Sequence, residues 1–125
     1  MKKHILLIDD EATIREMLEH YLSTSGYQVT SVAGVREALR VFPSENIDLV
    51  ITDLQLEDGD GFEIIKQFRE KLPDLPIILL TGVLFDVEVS DKVLLDTVSC
   101  YLGKTTPLAK IGKVVKSLLE KSDPK

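Results

Sequence analysis

Short, almost wholly apolar runs alternate along the chain with stretches whose apolar residues recur every three or four positions. The first run, His4 to Ile8, is rich in Ile and Leu and stops on Asp9, Asp10 and Glu11. That is the pattern of a strand covered on both faces in a parallel sheet. Asn46 to Thr52 ends in the same way on Asp53, and Ile77 to Leu80 ends on Thr81. Two shorter strands are predicted at Tyr27 to Val32 and at Ser99 to Leu102.

The intervening stretches have helical spacing. Ile14, Met17, Leu18, Tyr21 and Leu22 make one apolar face, with Arg15, Glu16, Glu19 and His20 opposite. Asp10 is placed to cap this helix and Gly26 to stop it. A second helix, Val35 to Phe42, turns Val35, Ala38, Leu39 and Phe42 inward and is closed by Pro43. Gln55 to Gly61 is a turn by composition. After it, Phe62 to Lys71 buries Phe62, Ile65, Phe68 and Leu72, with Ile64 flanking. Val83 to Asp96 follows no single period, and its β-branched residues weaken helix propensity; a helix is predicted at about Glu88 to Leu95. Pro107 opens the last helix, whose inner face is Ile111, Val114, Val115, Leu118 and Leu119.

Strand and helix alternate five times, without an internal repeat. This predicts an α/β fold, a five-stranded parallel sheet doubly wound by five helices in the flavodoxin-like order 2-1-3-4-5. Strands one and three are then neighbours, so Asp9, Asp10 and Asp53 converge at the carboxyl edge of the sheet, and Thr81 and Lys104 end strands on the same edge. One domain over residues 1–121 is expected, with 122–125 a tail or the start of a linker.

Composition narrows the function. The 125 residues are 44% apolar and 29% charged, as in a globular domain, and the formal charge of −6 offers no basic stripe for nucleic acid. The longest apolar runs fall well short of the roughly 18 residues of a membrane-spanning helix, and Ile5 to Ile8 is too short for a signal peptide. A cytoplasmic protein is the simplest expectation. The lone Cys100 reads as a buried apolar filler, and His4 and His20 lie away from the acidic edge.

Three crowded carboxylates repel one another and become favourable by holding a hard cation, for which Mg²⁺ fits best. A lysine and a hydroxyl opposite would neutralise phosphoryl oxygens. Asp53, ending the middle strand beside a Gly-rich loop, is then the candidate nucleophile for an aspartyl phosphate.

With the acidic pair Asp9-Asp10 after the first strand, Asp53 after the third, Gly61 eight residues later, Thr81 after the fourth, and Tyr101 with Lys104 at the fifth, the whole chain resembles a response-regulator receiver domain of two-component signalling. The resemblance implies that Asp9, Asp10, Asp53 and the main-chain carbonyl of Gln55 bind Mg²⁺. It also implies that Asp53 accepts a phosphoryl group from a sensor histidine kinase or phosphotransfer protein, that Thr81 and Lys104 contact that group, and that Tyr101 turns inward as Thr81 shifts. The face made by the last two helices and the fifth strand would then bind a downstream protein or fused output domain, with phosphorylation-dependent dimerisation one form of output.

Three stretches depart from the family pattern. Leu56-Glu57 replaces a usual Met-Pro pair, so the loop lacks its stiffener, and Glu57, Asp58 and Asp60 read as a solvated acidic turn. Lys104 is followed by Thr105 where a cis proline is usual; either a trans bond with a rearranged loop or a cis bond is compatible with the sequence, the latter at about 2.5–4 kcal/mol. Thr97-Val98 replaces a small Gly-Ala pair.

Two other functions compete with a phosphorylation-controlled binding module, which catalyses only its own phosphorylation and dephosphorylation. A Mg²⁺-dependent phosphohydrolase with an aspartyl nucleophile would need a second acid at position 55, which is Gln, and a cap domain. A flavin or nucleotide binder would need a Gly-rich loop after the first strand, where carboxylates stand instead.

Overall fold

The computed structural model describes residues 2–42, 46–53, 55–56, 58–81 and 99–122. Strands β1 (His4–Ile8), β2 (Gln28–Val32), β3 (Leu49–Thr52), β6 (Ile77–Thr81) and β7 (Cys100–Gly103) form one sheet in the order β2-β1-β3-β6-β7. All four pairings are parallel. The fold is therefore the predicted α/β sheet, with the predicted strand order. Helices α1 (Ala12–Thr24), α2 (Val35–Val41), α3 (Gly61–Lys71) and α4 (Leu108–Ser122) are described; the helix expected at 88–95 and the Thr97-Val98 pair lie outside the described residues.

The sheet is apolar on both faces because consecutive residues of a strand point to opposite sides. Leu6, Ile8, Val50, Ile77 and Leu79 pack with Val35, Ala38, Ile64, Ile65 and Phe68 of α2 and α3. Ile5, Leu7, Leu49, Ile51, Ile78 and Leu80 pack with Leu18 and Leu22 of α1 and Ile111, Val115 and Leu119 of α4. Phe42 and Phe68 stack with centroids 4.0 Å apart, tying α2 to α3. Burial of such side chains contributes about 1.5–3 kcal/mol each.

Several local expectations are corrected. Met17 and Leu72, expected on the apolar faces of their helices, stand 48% and 43% exposed: Met17 lies at the margin of the packed face of α1, and Leu72 falls one residue past the end of α3. β3 starts at Leu49 rather than Asn46: Asp48 donates its amide to the His4 carbonyl (2.8 Å) while its own carboxylate takes the His4 amide (2.8 Å), so a side chain replaces the ladder there. His4 is buried, with Nε2 2.7 Å from Thr30 Oγ1. Cys100 is half-buried, not a core filler. Gly26 does stop α1, at φ +105°, a conformation costly for any residue with a Cβ.

The segment predicted as a turn after Asp53 is a small antiparallel hairpin, β4 (Gln55–Leu56) with β5 (Gly59–Asp60). Its Leu56 is buried in the core shared with α2 and α3.

Candidate functional site

Backbone pairing brings the first acids together. The Asp9 amide donates to the Val32 carbonyl and the Asp53 amide to the Ile8 carbonyl, both at 3.1 Å, so each aspartate is held one residue past its strand. Asp9 and Asp53 are 1% and 6% exposed and Asp10 is half-buried. One carboxylate oxygen from each of Asp9, Asp10 and Asp53 can be chosen so that all three lie within 4.8 Å of one another.

Lys104 closes the cluster from the end of β7. Its Nζ stands 2.8 Å from Asp53 Oδ2 and 3.2 Å from Asp9 Oδ1, and it also bonds Glu11 Oε1. Burial alone would lower the ammonium pKa, but hydrogen bonds to Asp53 and Glu11 and the charges of Asp9 and Asp53 outweigh it and raise it. The lysine therefore stays charged. Burial raises the Asp9 carboxyl, with the Glu11 amide and Lys104 pulling down and the Asp53 charge adding to the rise.

Asp10 does not cap α1. The N-cap is Glu11, without a side-chain cap bond, and its amide donates instead to Asp9 Oδ1 at 2.8 Å. Arg15 Nη1 donates to the Asp9 carbonyl at 2.7 Å, fixing the first turn of α1 to the end of β1. Thr81 is the last residue of β6 and pairs with Gly103, next to Lys104. Gln55 opens the hairpin two residues after Asp53. Tyr101 is 51% exposed, on the strand beside Leu79. Among the described residues no peptide bond is cis, so Lys104–Thr105 is trans, and the chain turns with the Thr106 amide donating to the Gly103 carbonyl at 3.0 Å.

Three contributors escaped sequence reasoning. Glu11 shares Lys104, Arg15 holds Asp9, and Asp58, read as solvated, accepts hydrogen bonds from the Val35 and Arg36 amides at 2.8 and 3.2 Å. The spacing of Glu11 and Arg15 by four fits one helical face. Nothing near Asp58 in the sequence points to a helix that starts more than twenty residues earlier.

A doubly wound parallel sheet with three acids and a lysine at its carboxyl edge defines a phosphoacceptor class of α/β domain rather than a dinucleotide binder. The comparisons place the chain within that class. A family model for the response regulator receiver domain matches residues 5–116, and the chain belongs to that family.

Among its relatives, the regulatory protein VirG of Agrobacterium fabrum is 38% identical over 108 residues, 86% of this chain and 40% of that protein. The alkaline phosphatase synthesis transcriptional regulatory protein PhoP of Bacillus subtilis is 34% identical, over 98% of this chain and 51% of that one. The chain thus spans about half or less of these relatives. Among solved structures, the response regulator TrrA of Thermotoga maritima, in complex with Mg(2+)-BeF, superposes with a TM-score of 0.81 at 34% identity, covering 93% of this chain and 98% of that one. The chemotaxis response regulator CheY4 of Vibrio cholerae gives 0.82 at 26% identity, over 94% and 99%. No helix among the described residues is long and apolar enough to cross a membrane.

Proposed function

We propose that this chain is a signalling switch in which Asp53 is the phosphoacceptor. The observation that carries the reading is the Asp53 carboxylate itself. It stands at a strand end, within reach of two further carboxylates and paired at 2.8 Å with a charged lysine.

In the reaction an Asp53 oxygen attacks the phosphorus of a phosphohistidine on a sensor kinase or phosphotransfer protein, the phosphorus–nitrogen bond breaks, and the imidazole leaves. Three hard oxygen donors in this arrangement fit Mg²⁺, and the relative solved with Mg(2+)-BeF supports the same cation. Asp9, Asp10, Asp53 and the main-chain carbonyl of Gln55 would hold it, and its charge would offset that of the carboxylates and the incoming phosphoryl oxygens. Lys104, already between Asp9 and Asp53, pairs with the transferred group, and the Thr81 hydroxyl takes another of its oxygens.

A new charge of about −1.5 to −2 draws Thr81 toward the group that Lys104 already faces and opens space for the Tyr101 ring, whose exposed position here is the one such a movement would start from. The β7 and α4 surface then signals to a downstream protein, an output domain or a second copy. The receiver expected over residues 1–121 takes in Ser122, the last residue of α4, and belongs to a cytoplasmic protein.

Incubation with Mg²⁺ and acetyl phosphate should add one phosphoryl mass to the intact chain, and Asp53→Asn should take up none. An unmodified wild-type protein would overturn the reading. Steady turnover of many phosphoesters would favour the phosphohydrolase.

A further inference from the structure

The N-cap of helix α2 is Gly34, which has no side chain to offer the first turn. The cap comes from across the molecule. Asp58, at the tip of the hairpin that follows the phosphoacceptor, accepts the Val35 amide on Oδ1 (2.8 Å) and the Arg36 amide on Oδ2 (3.2 Å). Two glycines let the segments approach this closely. A Cβ at Gly34 would fall 2.5 Å from Asp58 Oδ1, and one at Gly59 would fall 2.7 Å from Val35 Cγ2. Leu56, paired with Gly59 in the hairpin, is buried in the same cluster as Val35.

These anchors matter because the hairpin has little stability of its own. Its ladder is two residues long, far below what holds an isolated pair of strands in water. Position 57 is Glu, so no proline ring restricts the backbone there. The place of Gln55 relative to Asp53 therefore depends on what the hairpin is fastened to. Asp58 also shares a cavity of about 260 Å³ with Asp10, Ala33, Gly34, Arg36 and Glu37, so its tether lies beside the acidic site.

We propose that Asp58 is a positioning residue for the phosphoacceptor site: by tying the hairpin to the first turn of α2 it fixes the main-chain carbonyl of Gln55 for Mg²⁺. The inference rests on the phosphoacceptor reading. It assigns a function to an acid that touches neither the metal-binding carboxylates nor Lys104. The tether supplies, by two hydrogen bonds between distant segments, a constraint that no proline provides at position 57.

The experiment measures Mg²⁺ affinity by calorimetric titration and the Mg²⁺ dependence of phosphoryl uptake from acetyl phosphate. Asp58→Ala is expected to weaken Mg²⁺ binding about tenfold, as loss of an outer-shell partner does. It should raise the half-saturating Mg²⁺ for uptake by the same factor and leave the rate at saturating Mg²⁺ nearly unchanged. Asp58→Asn keeps an acceptor oxygen for the Val35 amide without the charge, and should retain most of the affinity. In the double variant Asp58→Ala with Gly34→Ser, a local cap replaces the distant one, and the Cβ at 34 occupies space the carboxylate has left. Thermal stability should return while Mg²⁺ affinity stays low.

Wild-type affinity in Asp58→Ala would overturn the inference. So would equal loss in Asp58→Asn and Asp58→Ala, which would reduce the effect to charge, or recovery of affinity in the double variant, which would reduce it to helix stability. A wild-type protein that neither binds Mg²⁺ nor takes up phosphoryl groups would overturn the phosphoacceptor reading itself, and the inference with it.

Discussion

The Lys104 ammonium occupies, in the unphosphorylated protein, the charge position between Asp9 and Asp53 that a divalent cation would share. Its removal has two opposed effects. In Lys104→Ala the carboxylates lose their internal counter-ion, so Mg²⁺ meets no competing ammonium and should bind at least as tightly as in the wild type. The transferred phosphoryl oxygens lose a preorganised positive partner, and uptake from acetyl phosphate should fall by about a hundredfold. Mg²⁺ titration and intact-mass kinetics on the same sample separate the two effects; a variant that lost both together would show that Lys104 only holds the fold of the site. Asp58 permits a pH test in which no metal ligand takes part. Hydrogen bonds from the Val35 and Arg36 amides hold its carboxyl below the usual 3.8, with Arg36 adding a smaller effect. The unfolded chain therefore takes up the proton first as pH falls. Its contribution is complete above the ordinary carboxylate pKa and is lost as pH drops through the lower folded value. The stability difference between wild type and Asp58→Asn should be constant from about pH 7 down to about pH 5 and shrink below about pH 4, read from urea unfolding.

At the level of elements, α1 and α4 lie close because position 112 has no side chain: a Cβ at Gly112 would meet Tyr21 Oη at 2.9 Å and Cε2 at 3.0 Å. In Gly112→Ala the tip of the tyrosine ring can yield, and the gain of about 1 kcal/mol in helix propensity offsets the crowding. Gly112→Leu must spread the helices and should cost about 1–3 kcal/mol. Urea unfolding of the pair checks this; equal stability would mean that the helices are less closely packed than the geometry requires. The same helices show how far the sequence is readable. The inward faces of α1, α2 and α4 follow from spacing, because a long periodic pattern survives small errors of boundary. Met17 and Leu72 mislead because periodicity tells which side of a helix is apolar but neither how far the packed surface extends nor at which residue the helix ends. The Gln55–Leu56 and Gly59–Asp60 pairing is hidden because Gly and Asp spell a turn and each strand is only two residues long. Asp9, Asp10, Asp53 and Lys104 are legible as a site because each follows an apolar run whose end is easy to locate. The pairing of Glu11 with Lys104 and the capping of α2 by Asp58 are not, since both join segments that only the finished fold brings together.

For the molecule as a whole, the topology concentrates negative charge. A chain with formal charge −6 gathers three aspartates at one sheet edge, with oxygens that can lie within 4.8 Å of one another. Unfolding leaves Asp9 and Asp10 adjacent but carries Asp53 away from them, so the repulsion between Asp53 and that pair acts mainly against the folded state. A cation bound only by the folded protein reverses this by mass action, adding about 2.7 kcal/mol at a concentration one hundred times its dissociation constant. For a domain of this size that corresponds to a rise in Tm on the order of 10 °C. Mg²⁺ should therefore raise Tm in a dose-dependent way that continues to grow with the logarithm of concentration after the site is filled. NaCl at matched ionic strength acts only by screening and should give a smaller rise. Asp10 is the most exposed of the three acids, so Asp10→Asn changes the site with the least disturbance of the core. Without Mg²⁺ this variant should melt at or above the wild-type temperature, because one repelling charge is gone. With Mg²⁺ it should gain much less. Equal Mg²⁺-induced shifts in the two proteins, followed by differential scanning calorimetry, would locate the stabilising cation away from the carboxyl edge of the sheet.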